Sequence, residues 1–318
     1  MGNRTWPVWA ALGIVYVVWG STYLAIRYLV GSLPPLLAAG LRFSIAGVIL
    51  LVLVRVFAGR GALRMTRAQF GSAIVVGLLL AGGGQGLLTV AETQVASGVA
   101  ALLAASIPLF VLSLRRLLGE RPPAVTLFGV LLGLVGLAVL VLFGGPSEGA
   151  HGSAWWGPWI MLIAALSWSV GTVATTRLPM PANSFAATAV ELCAGGFALS
   201  FVGLGAGQRV RFAEVTAESW IALVYLIVAG SLIAFTAYVY VLDRLPVSTV
   251  ATYAYVNPVI AVLLGVWIAG EHIGPAQFAG GALVLAAVVV VVRSERRVRR
   301  AAAKVSVPAG TMAGSCEK

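Results

Sequence analysis

The 318-residue chain is 60% hydrophobic and only 10% charged, with a mean hydropathy of +1.00 and a formal net charge of +11. A soluble domain carries about 25% charged residues, so this composition excludes a soluble protein and predicts an integral membrane protein. The net charge does not indicate nucleic-acid binding. The basic residues cluster in short loops and near the carboxyl terminus, where such residues set topology and contact anionic lipid.

Ten apolar segments of about the length that crosses a bilayer follow one another along the chain. They predict an all-α protein with spans at 8–29, 35–57, 69–90, 95–116, 124–143, 156–176, 184–205, 218–240, 247–269 and 275–292. Every connection between them is short and polar or rich in glycine and proline. The remaining segment, 293–318, is predicted to be a polar, basic tail.

The basic residues orient these ten spans. Seventeen of the 21 Lys and Arg fall on one side, three fall on the other, and Arg42 lies within a span. The positive-inside rule therefore places both termini in the cytoplasm. A single arginine, Arg4, precedes the first span, which predicts a retained helix and not a cleaved signal peptide. We expect a multi-pass protein of the cytoplasmic membrane in contact with lipid.

Landmarks of the first half recur in the second at almost constant spacing. The equivalent pairs are Trp19 and Trp168, Arg42 and Glu191, Pro108 and Pro258, and Glu120 and Glu271. Five spans per half is an odd number, so the second unit (156–292) is predicted to insert inverted relative to the first (8–143). Inverted repeats with interrupted helices are typical of secondary transporters, which bind their solute near the midplane between the halves.

Several motifs resemble one transporter family. WGSTYLAIRY, SGVAALLAASIPLF and VSTVATYAYVNPVIAVLLG, with the Gly-Glu pairs that follow the last two, are similar to EamA-type members of the drug/metabolite transporter superfamily. The TVAE and RF features are most similar to the YedA-type exporters. The resemblance spans 8–292 and implies two inverted five-helix repeats that export a metabolite or drug. Its relatives are associated with amino acids, their derivatives and toxic compounds, so it does not name the solute.

Arg42 and Glu191 are the charged residues predicted to lie well inside spans. Such a group is costly in a bilayer and indicates function by default. Arg42 is a candidate to hold a solute carboxylate, and Glu191 a solute amine or a proton. Alternatively, neighbouring hydroxyls, carbonyls or water satisfy both, and the two residues only stabilise the bundle. Counted at 1.5 Å per residue from opposite faces, their depths differ by about 10 Å, so direct pairing is not assumed.

Aromatic and amide side chains near mid-span complete the predicted solute site, which comprises Trp19, Tyr23, Gln85, Trp168, Tyr253 and Asn257 with the two charged residues. Tyr253 and Asn257 are four residues apart and share one helix face. Packing or interhelical hydrogen bonds would account for the same residues, and that alternative stays open. Pro108 and Pro258 are predicted to break their helices and to serve the movement between states.

Carboxylates at helix ends are predicted to have a different role. Charge is readily solvated there, so loop packing or gating salt bridges are favoured over solute contact. These residues are Glu92, Glu120, Asp243 and Glu271. Gly129 and Gly133 form a GxxxG motif, which is a weak signal for a homodimer face.

The leading function is secondary transport of a small organic solute, in the outward direction. An importer or facilitator of the same fold is the alternative. An intramembrane enzyme would need a catalytic cluster, yet the two histidines, His151 and His272, lie in outer loops. A channel would need no inverted repeat and would show a selectivity loop. Cys193 and Cys316 predict neither a disulfide nor a metal site, and no cofactor or P-loop is expected.

Overall fold

The computed structural model describes residues 6–120, 123–146, 148–242, 244–245, 250 and 252–305. Ten helices make up most of these residues. They are α1 Trp6–Val30, α2 Pro35–Ala58, α3 Arg67–Ala91, α4 Ser97–Leu117, α5 Ala124–Leu142, α6 Gly157–Thr175, α7 Ser184–Gly205, α8 (Ala217–Tyr225, Leu226–Ile233 and Ala234–Leu242), α9 Tyr253–Ala269 and α10 Pro275–Val305. Two 3₁₀ turns, Arg60–Leu63 and Phe212–Glu214, lie in loops. The chain is therefore all-α, as predicted.

Nine of the described helices contain a stretch long and apolar enough to cross a membrane, and α9 contributes a shorter apolar stretch, Val256–Ala269. Part of the predicted ninth span, 247–249 and 251, lies outside the described residues. The other predicted boundaries agree with the helices within a few residues, except at the end of α10. We call the side on which α1 begins and α10 ends the terminal side, and the opposite side the distal side.

The predicted tail differs from the structure. α10 does not end near 292 but continues as helix to Val305. The added segment, RSERRVRRAAAKV, contains mostly alanine, arginine, lysine and glutamate, which favour helix, and contains neither glycine nor proline. The span was predicted to end where the hydropathy of the sequence falls. A fall in hydropathy does not by itself end a helix.

The two halves pack against each other in mirrored pairs. Equivalent helices form two extensive contacts, α2 with α7 and α5 with α10. α1 packs against α8 and α9, and its counterpart α6 packs against α3 and α4. α2 contacts α8 as α7 contacts α3. This reciprocal packing is that of two inverted five-helix repeats.

Irregular turns interrupt matching helices. α3 contains a π-helical stretch at Leu78–Gly86, and its counterpart α8 contains one at Leu226–Ile233. π turns occur often at functional sites. α4 breaks between Ala104 and Ile107, immediately before Pro108. The expected break at Pro258 is not found, because α9 is continuous from Tyr253 to Ala269 with this proline inside its first turns.

Glycine lets α3 approach α7 at the level of Glu191. A Cβ added to buried Gly77 would overlap the backbone of Glu191, whereas Gly71 on the same helix has nothing within 4.0 Å. This close contact fixes the backbone from which the Glu191 side chain projects. Small residues commonly allow such approaches in membranes.

Gly77→Ala is expected to destabilise the protein by about 1–3 kcal/mol, because the backbones must separate to admit the methyl group. The melting temperature of the purified protein should fall, and its elution profile should broaden. Gly71→Ala is the matched control and should leave both unchanged, or raise the melting temperature slightly through better helix propensity. Equal melting temperatures for the two variants would contradict this account of the α3–α7 contact.

The GxxxG motif of α5 does not form a free dimer face. A Cβ at Gly129 would meet Val291 at 2.8 Å, and one at Gly133 would overlap Leu109. α10 and α4 of the same chain therefore occupy this surface. The weak prediction of a homodimer through Gly129 and Gly133 is wrong, since the small residues serve packing within one chain.

Candidate functional site

A cavity of about 420 Å³ lies between the two halves. Residues of eight helices, α1 to α4 and α6 to α9, contribute to its wall. Its size falls within the range of about 300–1,000 Å³ that is usual for small-molecule sites. The wall is mainly apolar, with a few polar groups placed among aromatic rings.

All ten residues predicted for solute binding or helix interruption line this one cavity. They are Trp19, Tyr23, Arg42, Gln85, Pro108, Trp168, Glu191, Tyr253, Asn257 and Pro258. The structure thus brings together residues that lie far apart in the sequence. Their contact with a solute remains a prediction.

Arg42 is buried, with 5% of its surface exposed, and its hydrogen bonding is incomplete. Its Nε donates to Ser231 Oγ at 3.2 Å, and its guanidinium lies 4.6 Å from the ring centre of Phe43. Ser231 belongs to the π-helical turn of α8 and itself donates to the carbonyl of Leu226. Arg42 Nη1 has no partner among the described residues, so it retains the capacity to bind an anion.

Glu191 faces the cavity without pairing to Arg42. The described hydrogen bonds and ion pairs include none between these two side chains, in agreement with their predicted difference in depth. Glu191 lies on α7 within the cavity wall. The site therefore presents one cation and one carboxylate at separate places on the same cavity.

Three aromatic rings form a compact cluster beside these charges. The ring centres of Trp19 and Tyr238 are 5.1 Å apart, those of Trp19 and Tyr253 are 5.2 Å apart, and those of Tyr238 and Tyr253 are 5.8 Å apart. Trp19 Nε1 donates to the Gly230 carbonyl at 3.2 Å, again in the π-helical turn of α8. Tilted and edge-on arrangements of this kind stabilise aromatic contacts. The cluster joins α1, α8 and α9.

Sequence reasoning missed Tyr238 and Phe235, which also line the cavity. A signal was present, because these aromatic residues are three apart in FTAYVYVL and share a helix face. Thr22, Thr172 and Ser231 were not predicted as site residues either. Hydroxyl side chains are common in membrane helices, where they bond to the preceding turn, so they carried little information on their own.

Asn257 supports the alternative that some predicted site residues join helices. With its amide nitrogen facing two carbonyl oxygens, it donates to Tyr16 at 3.2 Å and to Tyr253 at 3.3 Å. The first contact ties α9 to α1. Asn257 lines the cavity as well, so it combines a packing role with a position at the site.

A polar network joins helix ends on the distal side. The carboxylate of Glu271, at the distal end of α9, accepts hydrogen bonds from Ser97 N at 2.8 Å, Ser97 Oγ at 2.7 Å and Gly98 N at 2.9 Å. It also forms an ion pair of 3.1 Å with Arg27. A carboxylate at a helix N-terminus satisfies amides that have no partner within the helix. Glu271 thereby fastens α4, α9 and α1 together.

The loop between α5 and α6 makes further contacts on the distal side. Arg27 Nη1 donates to the Glu148 carbonyl at 2.6 Å. Ala150 N donates to the Glu92 carbonyl at 3.1 Å, and His151 N donates to Thr93 O at 2.7 Å. The α5–α6 loop therefore lies over the turn that follows α3.

Of the four predicted helix-end carboxylates, two form salt bridges and one is buried. Glu271 and Glu120 form salt bridges as predicted, Glu120 with Arg115 and Arg177 on the terminal side. Asp243 lies outside the described residues. The expectation of ready solvation is wrong for Glu92, whose side chain is fully buried with no partner for either carboxylate oxygen among the described residues.

The residues that line the cavity are more deeply buried at its distal end than at its terminal end. Its distal wall includes Ile26, Met161 and Ala164, each with 1% exposure. On the terminal side it reaches Thr175, the last residue of α6, which is only half-buried.

Comparison with known proteins agrees with this architecture. The model of the EamA-like transporter family matches residues 5–142 and 155–293, so each match covers one half. The uncharacterized inner membrane transporter YedA of Escherichia coli K12 is 37% identical over 286 residues, covering 90% of each chain. A probable terminal-alkyne amino-acid exporter of Streptantibioticus cattleyicolor is 32% identical over 303 residues, covering 93% of this chain and 96% of that relative.

One solved crystal structure has the same fold. It superposes with a TM-score of 0.60 and 24% identity, covering 92% of this chain and 98% of the other. At this level of identity the likeness concerns the fold alone.

Proposed function

The chain belongs to the EamA-like transporter family, and on this basis we propose that it exports small zwitterionic solutes by alternating access. The solutes are amino acids with apolar side chains, or their derivatives. Arg42 holds the carboxylate, Glu191 receives the ammonium group, and the aromatic wall contacts the side chain. Gln85 and Trp168 complete the wall.

The observation that carries this proposal is the pair of opposite charges on one largely apolar cavity. Arg42 Nη1 lacks a partner, and Arg42 and Glu191 do not neutralise each other within the described structure. Buried charges are expensive unless paired. A zwitterion of suitable length would satisfy both, whereas a neutral or singly charged solute would leave one charge uncompensated.

The reach of the cavity toward the terminal side, where Thr175 is only half-buried, supports the outward direction of transport. The seventeen Lys and Arg that the span pattern of the sequence assigns to the terminal side support a cytoplasmic location for that side and for both termini. The solute then enters from the cytoplasm and leaves on the distal side. The exporter name of the Streptantibioticus relative supports the same direction.

The two repeats, 8–143 and 156–292, are proposed as the moving units. Their mirrored contacts allow the same interfaces to close alternately on either side. Glu271 secures the distal side in the present state. The break in α4 before Pro108 gives that helix two segments that can tilt separately.

Purified protein in liposomes is expected to transport L-phenylalanine faster than 3-phenylpropionate, phenethylamine or L-phenylalanine methyl ester. 3-Phenylpropionate lacks the ammonium group and leaves Glu191 unpaired, whereas phenethylamine and the methyl ester lack the carboxylate and leave Arg42 unpaired. Flux of radiolabelled solute from loaded vesicles, with orientation determined by protease, measures both selectivity and direction. Equal flux of all four compounds would contradict zwitterion recognition. Net movement only toward the terminal side would favour an importer.

A further inference from the structure

The π-helical turn of α8, Leu226–Ile233, holds two of the predicted solute-binding residues. Ser231 Oγ accepts a hydrogen bond from Arg42 Nε at 3.2 Å, and the Gly230 carbonyl accepts one from Trp19 Nε1 at 3.2 Å. All four residues line the cavity. Two neighbouring residues of one turn therefore hold the cation and an aromatic ring of the candidate site.

The π-helical geometry makes the Gly230 carbonyl available to Trp19. Ala234 N donates to the carbonyl of Ala229, five residues earlier, whereas an α-helix would pair it with Gly230, four residues earlier. The indole N–H of Trp19 bonds to the Gly230 carbonyl in its place. The irregular turn is thereby fixed to α1.

The hydroxyl of Ser231 is fixed as an acceptor toward Arg42. Ser231 is buried, and its Oγ donates to the carbonyl of Leu226 at 2.9 Å. A hydroxyl has a single proton, so this bond leaves only the oxygen lone pairs for other partners. A guanidinium has donors and no acceptor, which makes Ser231 a matching partner for Nε. The two bonds in series orient the guanidinium at its Nε edge.

The missing side chain at Gly230 leaves room for the same guanidinium. A Cβ added there would lie 3.4 Å from Arg42 Nη2 and 3.1 Å from Thr22 Cγ2, so these neighbours would have to shift. The guanidinium also lies 4.6 Å from the ring centre of Phe43. Ser231, Phe43 and the Gly230 backbone therefore restrict its position, while Nη1 has no partner among the described residues.

We propose that this turn, through Ser231 and Gly230, orients Arg42 and thereby sets the selectivity of the site for a solute carboxylate. The inference rests on the proposed function, because Arg42 must bind the carboxylate. Ser231 is a positioning residue, since it acts on the solute through Arg42. A guanidinium that is oriented in advance can present two parallel N–H groups to a planar carboxylate, whereas a mobile one must first lose its freedom of rotation.

Ser231→Ala is expected to weaken binding of L-phenylalanine by about threefold to tenfold, because binding must then order a side chain that is already ordered in the wild type. L-Phenylalanine methyl ester has no carboxylate, so its Kd should be unchanged. The ratio of the ester Kd to the acid Kd, measured by calorimetry on the full-length protein, should therefore fall. Ser231→Thr keeps the hydroxyl and should keep the wild-type ratio. Gly230→Ala, which crowds Nη2, should lower the ratio as Ser231→Ala does.

The equivalent π-helical turn of α3 offers matched controls. Ser167 Oγ donates to the carbonyl of Leu79 in that turn at 2.8 Å, and a Cβ added to Gly82 would meet nothing closer than 4.0 Å. Neither Ser167 nor Gly82 is among the described residues that line the cavity. Ser167→Ala and Gly82→Ala should therefore keep the wild-type ratio, even where the melting temperature changes.

A wild-type ratio in both Ser231→Ala and Gly230→Ala, in protein whose melting temperature shows that it is folded, overturns the positioning role. An equal loss of affinity for acid and ester in these variants overturns it as well, since that result indicates a structural effect. If Arg42→Gln lowers the ratio while both α8 variants keep it, only this inference fails. If Arg42→Gln also keeps the ratio, the proposed function fails and the positioning role fails with it.

Discussion

Arg42→Gln is expected to weaken binding of L-phenylalanine by about 30-fold or more. Removing one partner of a buried, hydrogen-bonded charge pair costs about 2–5 kcal/mol, and each 1.4 kcal/mol corresponds to about tenfold in Kd. L-Phenylalanine methyl ester has no carboxylate, so its affinity should change much less. Calorimetry or ligand-induced thermal stabilisation with the two compounds measures the difference.

Conservative changes separate charge from shape at this position. Arg42→Lys keeps the positive charge but loses the planar fork that matches a carboxylate, so its affinity should be intermediate. Glu191→Gln should show the reverse selectivity, with reduced binding of L-phenylalanine and little change for 3-phenylpropionate, which lacks the amine. If Arg42→Gln lowers acid and ester affinity equally, Arg42 stabilises the bundle and does not contact solute.

Glu271→Ala is expected to open the distal side. The substitution removes the acceptor of three hydrogen bonds and the partner of Arg27. Breaking a buried ion pair by removing one partner costs about 3–5 kcal/mol, which reduces the ratio of distal-closed to distal-open protein by about 100-fold or more. A cysteine introduced at Ala101, now fully buried in the distal wall, should become reactive toward a polar maleimide added from the distal side.

The labelling experiment uses protein in which Cys193 and Cys316 have been replaced and which elutes as a single species. Glu120→Ala is the matched control on the terminal side, where the carboxylate is 41% exposed and pairs with Arg115 and Arg177. It should not raise labelling at position 101. Glu271→Gln retains the volume and one acceptor, so it serves if the alanine variant does not fold. Unchanged labelling in both Glu271 variants would show that other contacts hold the distal side closed.

Local properties of the chain explain why the span pattern could be predicted. Apolar length, loop charge and the recurrence of landmarks are visible in a linear sequence, and each constrains a helix in a bilayer directly. Arg42 and Glu191 stood out for the same reason, because an ionisable residue within an apolar run is conspicuous wherever its helix packs. Both line the cavity.

The residues of a single helix do not determine which of its faces points toward the cavity. Tyr238, Phe235 and Ser231 line the cavity because α8 presents one face to α1 and α2, a choice made by contacts between the halves. The two prolines illustrate the same limit. Both occupy equivalent places in the sequence, yet α4 is interrupted before Pro108 and α9 runs through Pro258.

Glu92 and Glu271 show most clearly what the sequence left open. Both follow a span and look equally accessible to water. In the fold, the α5–α6 loop covers the turn containing Glu92, and Ser97, Gly98 and Arg27 surround Glu271. Long-range contacts of loops decide such burial, and hydropathy does not report them.

The sequence by itself determined the class of protein, the ten spans, the inverted repeat and the residues with the chemistry to bind a charged solute. These follow from the cost of placing polar groups in lipid, which acts on every segment separately. Tertiary structure alone decided which end of the cavity is more deeply buried, which carboxylate binds the distal helix ends together, and which carboxylate is left buried without a partner among the described residues. Those features depend on contacts between residues far apart in the sequence, from 58 positions for Glu92 and Ala150 to 244 for Arg27 and Glu271, and the residues of a single segment do not report them.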